Sequence, residues 1–266
     1  MRTYRQFAAV YDRLMEEMPY SDWMSFARRC WDKYGIPKTV VDLGCGTGNL
    51  TIPLARSGFS VFGIDISSEM LSVARSKWDE PASRGGSRDE PGTIRWLQQD
   101  MRDWDLPQPA DAVISFCDCL NYLTEPEDIA STIRHTYEGL GPGGLFLFDV
   151  HAPRQLERYA DEQPFVYDEK DVAYLWTCDY DSDRMEIEHS LTFFIQEEPG
   201  SKGGSGALYS RFEESHVQRA YDPEWIADQL VEAGFELLHR CADFKWEQPP
   251  DARSERLFFV ARKPQS

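Results

Sequence analysis

Hydrophobic residues repeat with different periods along the chain, and each change of period marks a new element. A short apolar run at Thr39–Leu43 predicts a buried strand, which a glycine-rich turn and a helix ending near Ser57 follow. Four more short apolar runs, separated by segments of helical spacing, predict strands 2 to 5. These runs are Ser60–Ile64, Thr93–Leu97, Ala112–Phe116 and Leu145–Phe148. Because strands alternate with helices, the pattern favours a parallel sheet with right-handed crossovers.

Helical spacing also precedes the first strand, and residues 1–37 are predicted to form two helices. Apolar positions at helical spacing in the first of them are Phe7, Val10, Tyr11 and Leu14. The second is predicted to begin near Ser21, a good N-cap residue. Ser67 and Pro126 begin two later predicted helices, and the glycine-rich stretch 141–144 is predicted to end the second of these.

The period changes to two in the stretch 164–221. Apolar and polar residues alternate from Ile187 to Ile195, which is typical of a half-buried antiparallel strand. We predict an antiparallel β lid here, inserted after strand 5. A helix capped by Asp222 then returns to the parent sheet. The last two predicted strands, an antiparallel pair, are Phe235–Leu238 and Leu257–Val260.

The predicted fold is therefore α/β, a Rossmann-like sheet with an inserted lid. Residues 1–163 hold the N-terminal helices and the core, 164–221 the lid, and 222–266 the completion of the core. The polar, glycine-containing stretches 79–92 and 199–206 are predicted to be loops.

Composition and charge limit the partners. Hydrophobic residues make up 41% of the chain, and 46 acidic against 28 basic residues give a net charge of -18. Such a charge repels polyanions, so we expect no DNA partner and disfavour RNA. No apolar run approaches the roughly 20 residues that span a membrane, and no signal peptide is evident. The six cysteines are scattered without metal-binding spacing, which predicts reduced thiols in a cytoplasmic protein and no metal.

The clearest chemical signal lies directly after the first strand, where the chain reads Asp42-Leu-Gly-Cys-Gly-Thr-Gly48. Glycine has no Cβ and tolerates positive φ, so a ligand can approach such a turn closely. The dinucleotide fingerprint requires glycine at position 49, where this chain has Asn49. The register D-x-G-x-G-x-G instead predicts an S-adenosylmethionine (SAM) site, where Asp42 can favour the cationic amino group of the methionine moiety. An ordinary tight turn with three glycines is the alternative.

Two more carboxylates follow at the ends of predicted strands. Asp65 ends the second strand, where it can accept hydrogen bonds from ribose hydroxyls, although it could also stabilise a helix N-terminus. Asp100 follows the third strand and is placed to accept a hydrogen bond from the adenine amino group, with the backbone amide of Met101 beside it. Since ligands of open α/β sheets bind at the carboxyl ends of the strands, these residues form a series.

With this series the chain resembles class I SAM-dependent methyltransferases, and more narrowly the YqeM-like methyltransferases of bacteria. The resemblance implies a seven-stranded sheet of order 3-2-1-4-5-7-6 and methyl transfer from SAM. It runs over most of the chain, through Phe7–Met15, Pro19–Trp23, the glycine motif, Cys117–Leu123 and Gly141–Asp149.

The resemblance also implies that amino-terminal aromatic residues close over the cofactor and that the segment after strand 4 lines its junction with the acceptor. The predicted cofactor-binding residues are Tyr11, Tyr20, Trp23, Asp42, Gly44, Cys45, Gly46, Gly48, Asp65, Ile66, Met70, Asp100, Met101, Phe116 and Asp118. The predicted substrate-binding residues are Asn121, Tyr122 and His189.

The expected reaction needs no fixed catalytic motif, because the methyl donor is already activated and the protein mainly aligns the acceptor. His151, after strand 5, is the first choice for a general base, and a loop histidine with a structural hydrogen bond is the alternative. His189 and His216 are further candidates. The acceptor is expected to be a small molecule. A regulatory SAM-binding protein, other SAM chemistry and, less favoured for lack of a basic stripe, an RNA methyltransferase are the alternatives.

Overall fold

The two hydrophobic periods of the sequence correspond to two separate β-sheets. They are seen in a computed structural model that describes residues 11–80, 92–197 and 208–265. Phe7, Val10, most of the predicted 79–92 loop and the predicted 199–206 loop lie outside these ranges.

The helices surround the larger sheet and the start of the smaller one. Residues 11–14 are helical, and the longer helices are α1 (Tyr20–Tyr34), α2 (Thr51–Arg56), α3 (Ser68–Asp79), α4 (Pro126–Gly139), α5 (Pro153–Glu162) and α6 (Pro223–Glu232). A 3-10 turn, Cys119–Tyr122, follows the fourth strand.

The strands are β1 (Thr39–Leu43), β2 (Ser60–Asp65), β3 (Thr93–Gln98), β4 (Ala110–Ser115), β5 (Leu140–His151), β6 (Phe165–Asp168), β7 (Val172–Asp181), β8 (Glu186–Gln196), β9 (Tyr209–Arg219), β10 (Glu236–Ala242) and β11 (Arg256–Arg262). The larger sheet has the order β3-β2-β1-β4-β5-β11-β10, parallel from β3 to β5 and antiparallel at β11 and β10. Since β10 and β11 are its sixth and seventh strands, the predicted order 3-2-1-4-5-7-6 is confirmed.

The smaller sheet is antiparallel throughout, in the order β6-β7-β8-β9, and it is inserted between β5 and α6. This confirms the predicted insertion of antiparallel strands after strand 5. The division of the chain at residues 163/164 and 221/222 stays a prediction.

Strand β5 carries the centre of the core, because its carboxyl-terminal half is buried on both faces. Phe146 and Phe148 pack on one face, together with α4 and α6. Leu145 and Leu147 pack on the other face, together with Trp31 and other residues of α1. Helices on both faces thus leave the strand ends as the open edge of the sheet.

The predicted helix starts at Ser67, Pro126 and Asp222 match the structure, and the cap predicted at Ser21 differs. Ser67 accepts a hydrogen bond from the Met70 amide at the start of α3, and Asp222 caps α6 in the same way. The first long helix begins at Tyr20, with Pro19 before it and no side-chain cap, so the predicted N-cap at Ser21 is wrong. Proline is already favourable near a helix start because it lacks the amide hydrogen that would be left unpaired there.

The stretch 141–144 also differs from its predicted role. The helix α4 ends at Gly139, and β5 begins at Leu140 and runs through these glycines. Gly143 has φ +79°, and the pairing with β4 shifts register here. Hydrogen bonds with Lys263 on the other side, both 2.9 Å long, hold the irregular segment in place. The glycines therefore form a bulge in the strand instead of a loop before it.

No helix in the described ranges is both long enough and apolar enough to cross a bilayer. The six cysteines, all within those ranges, are free thiols.

Candidate active site

The carboxyl ends of β1, β2 and β3 border a cavity of about 390 Å³, with the 3-10 turn on its other side. That volume lies within the roughly 300–1,000 Å³ that is usual for small-molecule sites. Its lining comes from five segments of the chain. The residues are Gly44, Ile64, Asp65, Ile66, Gln99, Asp100, Met101, Arg102, Tyr122, Leu123, Thr124 and Asp128.

The glycine turn forms one wall of the cavity, and its three glycines could not be replaced without strain. Gly44, Gly46 and Gly48 have φ +81°, +52° and +82°. A Cβ at Gly44 would lie 2.8 Å from the sulfur of Cys119, whereas no atom lies within 4 Å of a Cβ built at Gly46. The turn is thus packed closely on one side and open on the other, so its backbone is accessible to a ligand.

Asp65, at the end of β2, holds two turns together at the cavity wall. Its oxygens accept hydrogen bonds from the amides of Gly46, at 2.7 Å, and Ser67, at 2.8 Å. Burial raises the pKa of this carboxyl, and the two amide hydrogen bonds oppose the shift. Since a carboxylate oxygen has two lone pairs, each can still accept a hydrogen bond from a ligand hydroxyl. The assignment to ribose stays a prediction.

Asp42 lies beneath the turn. It is 2% exposed, and the hydroxyl of Thr51 donates a 2.5 Å hydrogen bond to it. Burial raises its pKa to about 7, the Thr51 hydrogen bond opposes this shift, and the charge of Asp65 adds to it. It is not among the described residues that line the cavity. In the structure it therefore supports the turn from below.

Asp100 and Met101 border the cavity at the end of β3, as the sequence predicts, but Asp100 has a partner that the sequence analysis missed. Arg102 donates to Asp100 at 2.6 Å and to Asp128 on α4 at 3.0 Å. The hydrogen bond from Arg102 lowers the pKa of Asp100. The side chain of Ile66, 64% exposed, offers apolar surface at the same wall.

The amino-terminal segment 11–18 lies against the glycine turn. Asp12 is its anchor: it accepts hydrogen bonds from Thr47 at 2.5 Å, from Asn49 at 3.1 Å and from Lys77 on α3 at 2.6 Å. Asn49, the residue that excludes the dinucleotide motif, thus has a structural task of its own.

The predicted closing aromatics fall into two groups. Tyr20 accepts a hydrogen bond from Asn49 at 3.1 Å, so it lies over the turn. Tyr11 is close to Cys117, Cys119 and Tyr122, and burial is the main cause that raises its pKa. Trp23 is buried and donates to Asp149, near the carboxyl end of β5, at 2.9 Å.

The remaining predicted residues surround the turn. Cys45 and Phe116 are buried, Gly48 packs against Trp96, and Met70 contacts an apolar cluster that includes lid residues. Their assignment to the cofactor stays a prediction.

A buried cluster of charges lies at the ends of β4 and β5, and Arg256 on β11 is its centre. The guanidinium donates to Asp149, to Asp118 at 3.0 Å and to His151 at 2.7 Å. Burial would raise the pKa of Asp118, but His151 and Arg256 hold it below its usual value. Arg256 was not predicted, since it is 105 residues from His151 and only strand pairing places it opposite that residue.

The chain beside this cluster has an unusual backbone. Cys117 and Asp118 both have left-handed φ, +63° and +54°. Their amides donate to Asp149 at 2.8 and 3.2 Å. Left-handed non-glycine residues cost of order 1–3 kcal/mol each and concentrate at functional sites.

His151 is the last residue of β5 and is 4% exposed. Burial lowers its pKa to about 4; Asp118 opposes this shift and Arg256 adds to it. The ring is therefore neutral at pH 7 and only weakly basic. Asn121, predicted to bind the acceptor, is fully buried: it accepts from the His151 amide at 2.8 Å and donates to the Arg219 carbonyl at 2.9 Å. In the structure it positions His151.

The lid strands β8 and β9 carry two more of the candidate histidines. His189 and His216 are paired across β8 and β9, and burial lowers the pKa of both, that of His189 to about 4. The ring of His216 meets Tyr122 edge-on at 6.0 Å. Tyr122 also lines the cavity, so the lid histidines adjoin the cavity through this residue.

A sheet of this order, with a glycine turn after its first strand and a carboxylate after its second, defines the site of a class I SAM-dependent methyltransferase. Residues 40–144 match the methyltransferase domain family. The chain is 38% identical, over 98% of its own length and all of the relative, to a "Putative methyltransferase" of Geobacillus sp. (strain WCH70). It is 37% identical to "Putative methyltransferase YqeM" of Bacillus subtilis (strain 168), over 98% of this chain and 97% of that one.

Solved structures of methyltransferases have the same fold. A SAM-dependent methyltransferase from Clostridium acetobutylicum ATCC 824 superposes with a TM-score of 0.81 and 25% identity, covering 98% of this chain and 99% of that one. The SAM-bound amino pentose methyltransferase CalS10 from Micromonospora echinaspora, 20% identical, shares the fold with a TM-score of 0.70, covering 96% of each chain. The chain therefore belongs to the YqeM-like family of SAM-dependent methyltransferases.

Proposed function

We propose that the protein transfers the methyl group of SAM to a small molecule bound between the 3-10 turn and the lid. The position of the second sheet supports this function most directly. Strands β8 and β9 bring His189 and Gln218 to Asp118 and His151 at the ends of β4 and β5. An acceptor there would lie between the cofactor wall and the lid.

The cavity fits SAM in three respects. The backbone at Gly46 has no atom within 4 Å of the position of a Cβ, the carboxylate of Asp65 has lone pairs that can accept further hydrogen bonds, and Ile66 offers an apolar surface. We assign these residues to the methionine moiety, the ribose and the adenine respectively. SAM, when bound, supplies a methyl group on a sulfonium, which needs no further activation.

The chain's own contribution is then to bind, orient and exclude water. Tyr11 and Tyr122 lie together at the junction of the cavity and the lid, where they would confine the acceptor. The left-handed backbone at Cys117 and Asp118, held by Asp149, fixes this junction. Alignment of two bound reactants is itself a large source of rate enhancement.

The test is a transfer assay with methyl-labelled SAM and a bacterial metabolite extract from which macromolecules have been removed. We expect label in small-molecule products with the wild-type chain and a much smaller amount with Asp65→Ala. Label that appears only when protein or RNA is added back would contradict the proposal.

A further inference from the structure

Arg102 lies at the cavity wall between the end of β3 and the start of α4, and its side chain joins the two. Asp100, Arg102 and Asp128 all line the cavity, and their side chains are 28%, 44% and 32% exposed. The carboxylate of Asp100 is therefore accessible to a ligand in the cavity, while Arg102 determines how much of that carboxylate the ligand can use.

Three N–H groups of Arg102 occupy most of the Asp100 carboxylate. Its Oδ1 accepts from the backbone amide and from Nε of Arg102, both at 2.9 Å. Its Oδ2 accepts from Nη2 at 2.6 Å and shares the Nε hydrogen at 3.1 Å. A carboxylate has about four lone-pair sites, so about one site, on Oδ2, is left for a ligand.

The charges around Asp100 keep this last site an acceptor only because Arg102 is present. The hydrogen bond from Arg102 is the main cause that lowers the pKa of Asp100, and burial opposes the shift. Two other carboxylates line the same cavity, Asp128 on α4 and Asp65 at the end of β2. Without Arg102, burial and these negative charges would all favour a protonated Asp100. With it, a group that binds this carboxylate must be a hydrogen-bond donor.

We propose that Arg102 is a positioning residue that determines which base the cofactor cavity selects. It fixes Asp100 in one orientation, as an ionised acceptor with a single free site. This arrangement favours adenine, which has an exocyclic amino group, over a purine with an oxo group in its place. The proposal rests on the proposed function, in which the cavity binds SAM. An oxo oxygen would meet the lone pairs of a carboxylate that has no proton to offer it.

Two contacts join Arg102 to α4, and they supply a matched control. Nη1 donates to Asp128 at 3.0 Å, and the Arg102 carbonyl accepts from the hydroxyl of Ser131 at 3.0 Å. Ser131→Ala loosens the same junction of β3 and α4 but leaves the guanidinium on Asp100. If Arg102 served only to hold this junction together, the loss of the Ser131 hydroxyl and the loss of the guanidinium would have similar effects. Under the proposal only the guanidinium affects the choice of base.

The test compares two ligands that differ only in the base: S-adenosylhomocysteine and its deaminated analogue, S-inosylhomocysteine. Calorimetric titration of the full chain at pH 7 gives the ratio of their affinities. We expect the wild type to bind the adenosyl ligand on the order of 100-fold more tightly. Arg102→Met should reduce this ratio about threefold, because Asp100 is then free to rotate, and Ser131→Ala should leave it unchanged. Arg102→Lys keeps the charge but not the planar fork, so its ratio should lie between those of the wild type and Arg102→Met.

The pH dependence of the ratio separates control of the Asp100 charge from a loss of packing. Other groups near the cofactor, such as Asp42, also titrate below pH 7. They change both affinities alike, because the two ligands differ only in the base. In Arg102→Met the Asp100 carboxyl takes up a proton as the pH falls and can then donate to the oxo group. The ratio for this variant should therefore fall about a further threefold from pH 7 to pH 5, while the wild-type ratio stays constant.

A ratio for Arg102→Met that equals the wild-type ratio at both pH values would overturn the inference, and so would an equal loss of the ratio in Ser131→Ala. If Arg102→Met does not fold, Arg102→Lys is measured in the same way and must show a reduced ratio. Selective binding of the adenosyl ligand that depends on Arg102, without methyl transfer, would contradict only the proposed function. Methyl transfer to small molecules with a ratio that does not depend on Arg102 would contradict only this inference.

Discussion

The carboxylate of Asp65 both borders the cavity and joins the glycine turn to the start of α3. We expect Asp65→Ala to weaken SAM binding about 10- to 100-fold, since a hydrogen bond to a charged group contributes about 1.5–3 kcal/mol. Calorimetric titration with SAM measures this directly. Asp103→Ala is the matched control, because that side chain is 89% exposed and should leave the affinity unchanged. Equal affinities of the Asp65→Ala variant and the wild type would refute the ribose assignment.

The pKa of Asp42 makes stability depend on pH. This carboxyl titrates at about 7 in the folded protein against 3.8 usually, so folding takes up a proton between those values. The free energy of unfolding of the ligand-free protein should therefore fall as pH rises from 4 to 7. Asp42→Asn, which keeps an acceptor for Thr51 but cannot ionise, should remove that part of the decline.

The size of the effect follows from about three pKa units at 1.36 kcal/mol each, so the gain for Asp42→Asn above pH 7 is at most about 4 kcal/mol. Urea denaturation at several pH values measures it, with Asp103→Asn as the exposed control. If the free energy of unfolding of Asp42→Asn falls with pH as steeply as that of the wild type, this carboxyl does not have the raised pKa that its burial implies.

The amino-terminal segment 11–18 is the element whose position depends most on a few contacts. Lys77 joins Asp12 at 2.6 Å and Asn49 at 2.7 Å, and thus ties the segment to α3 and the glycine turn. We expect this segment to cover the bound cofactor, so Lys77→Met should accelerate cofactor release. Partly exposed ion pairs contribute up to about 1 kcal/mol, which predicts dissociation about two- to fivefold faster.

Rapid mixing of the S-adenosylhomocysteine complex with excess SAM measures that rate of release. Lys245→Met, an exposed lysine outside the segment's contacts, is the control. An unchanged rate for Lys77→Met would mean that the segment does not restrict release.

Most of the large sheet could be predicted from sequence, because each strand–helix alternation leaves a local change of period. The bulge at 141–144 could not. Glycines after a helix usually end it in a loop. Here Gly143 and Gly144 are part of β5 because they exchange hydrogen bonds with Lys263, which is more than 100 residues away in the sequence. The helix α1 begins one residue from Ser21, but its predicted cap was wrong for a local reason, since Pro19 occupies the N-cap position.

The same distinction applies to the site. The glycines stand in one short motif after β1 and Asp65 ends the neighbouring strand β2, so their proximity follows from the sheet alone. Arg102 was missed although it is two residues from Asp100, because an exposed arginine after an acid is common in any loop. Arg256 leaves no local signal: it reaches His151 only through the antiparallel pairing of β11 with β5.

The distribution of charge over the whole molecule bears on macromolecular substrates. The net charge is -18, and many arginines are already paired with carboxylates. Arg102, Arg158, Arg240 and Arg262 are examples on different elements. A phosphate backbone would have to displace these carboxylates to reach their cations, while the overall field repels it.

We therefore expect no retention of RNA by the pure protein, even at 50 mM salt, where attraction between a basic protein and nucleic acid would be strongest. Filter binding with labelled bulk RNA, up to tens of micromolar protein, measures this, and the same RNA offered with methyl-labelled SAM tests it as an acceptor. A basic RNA-binding protein of similar size is the positive control. Retention that falls steeply with added salt, together with methyl incorporation into the RNA, would reveal a cationic surface that the charge pairing hides.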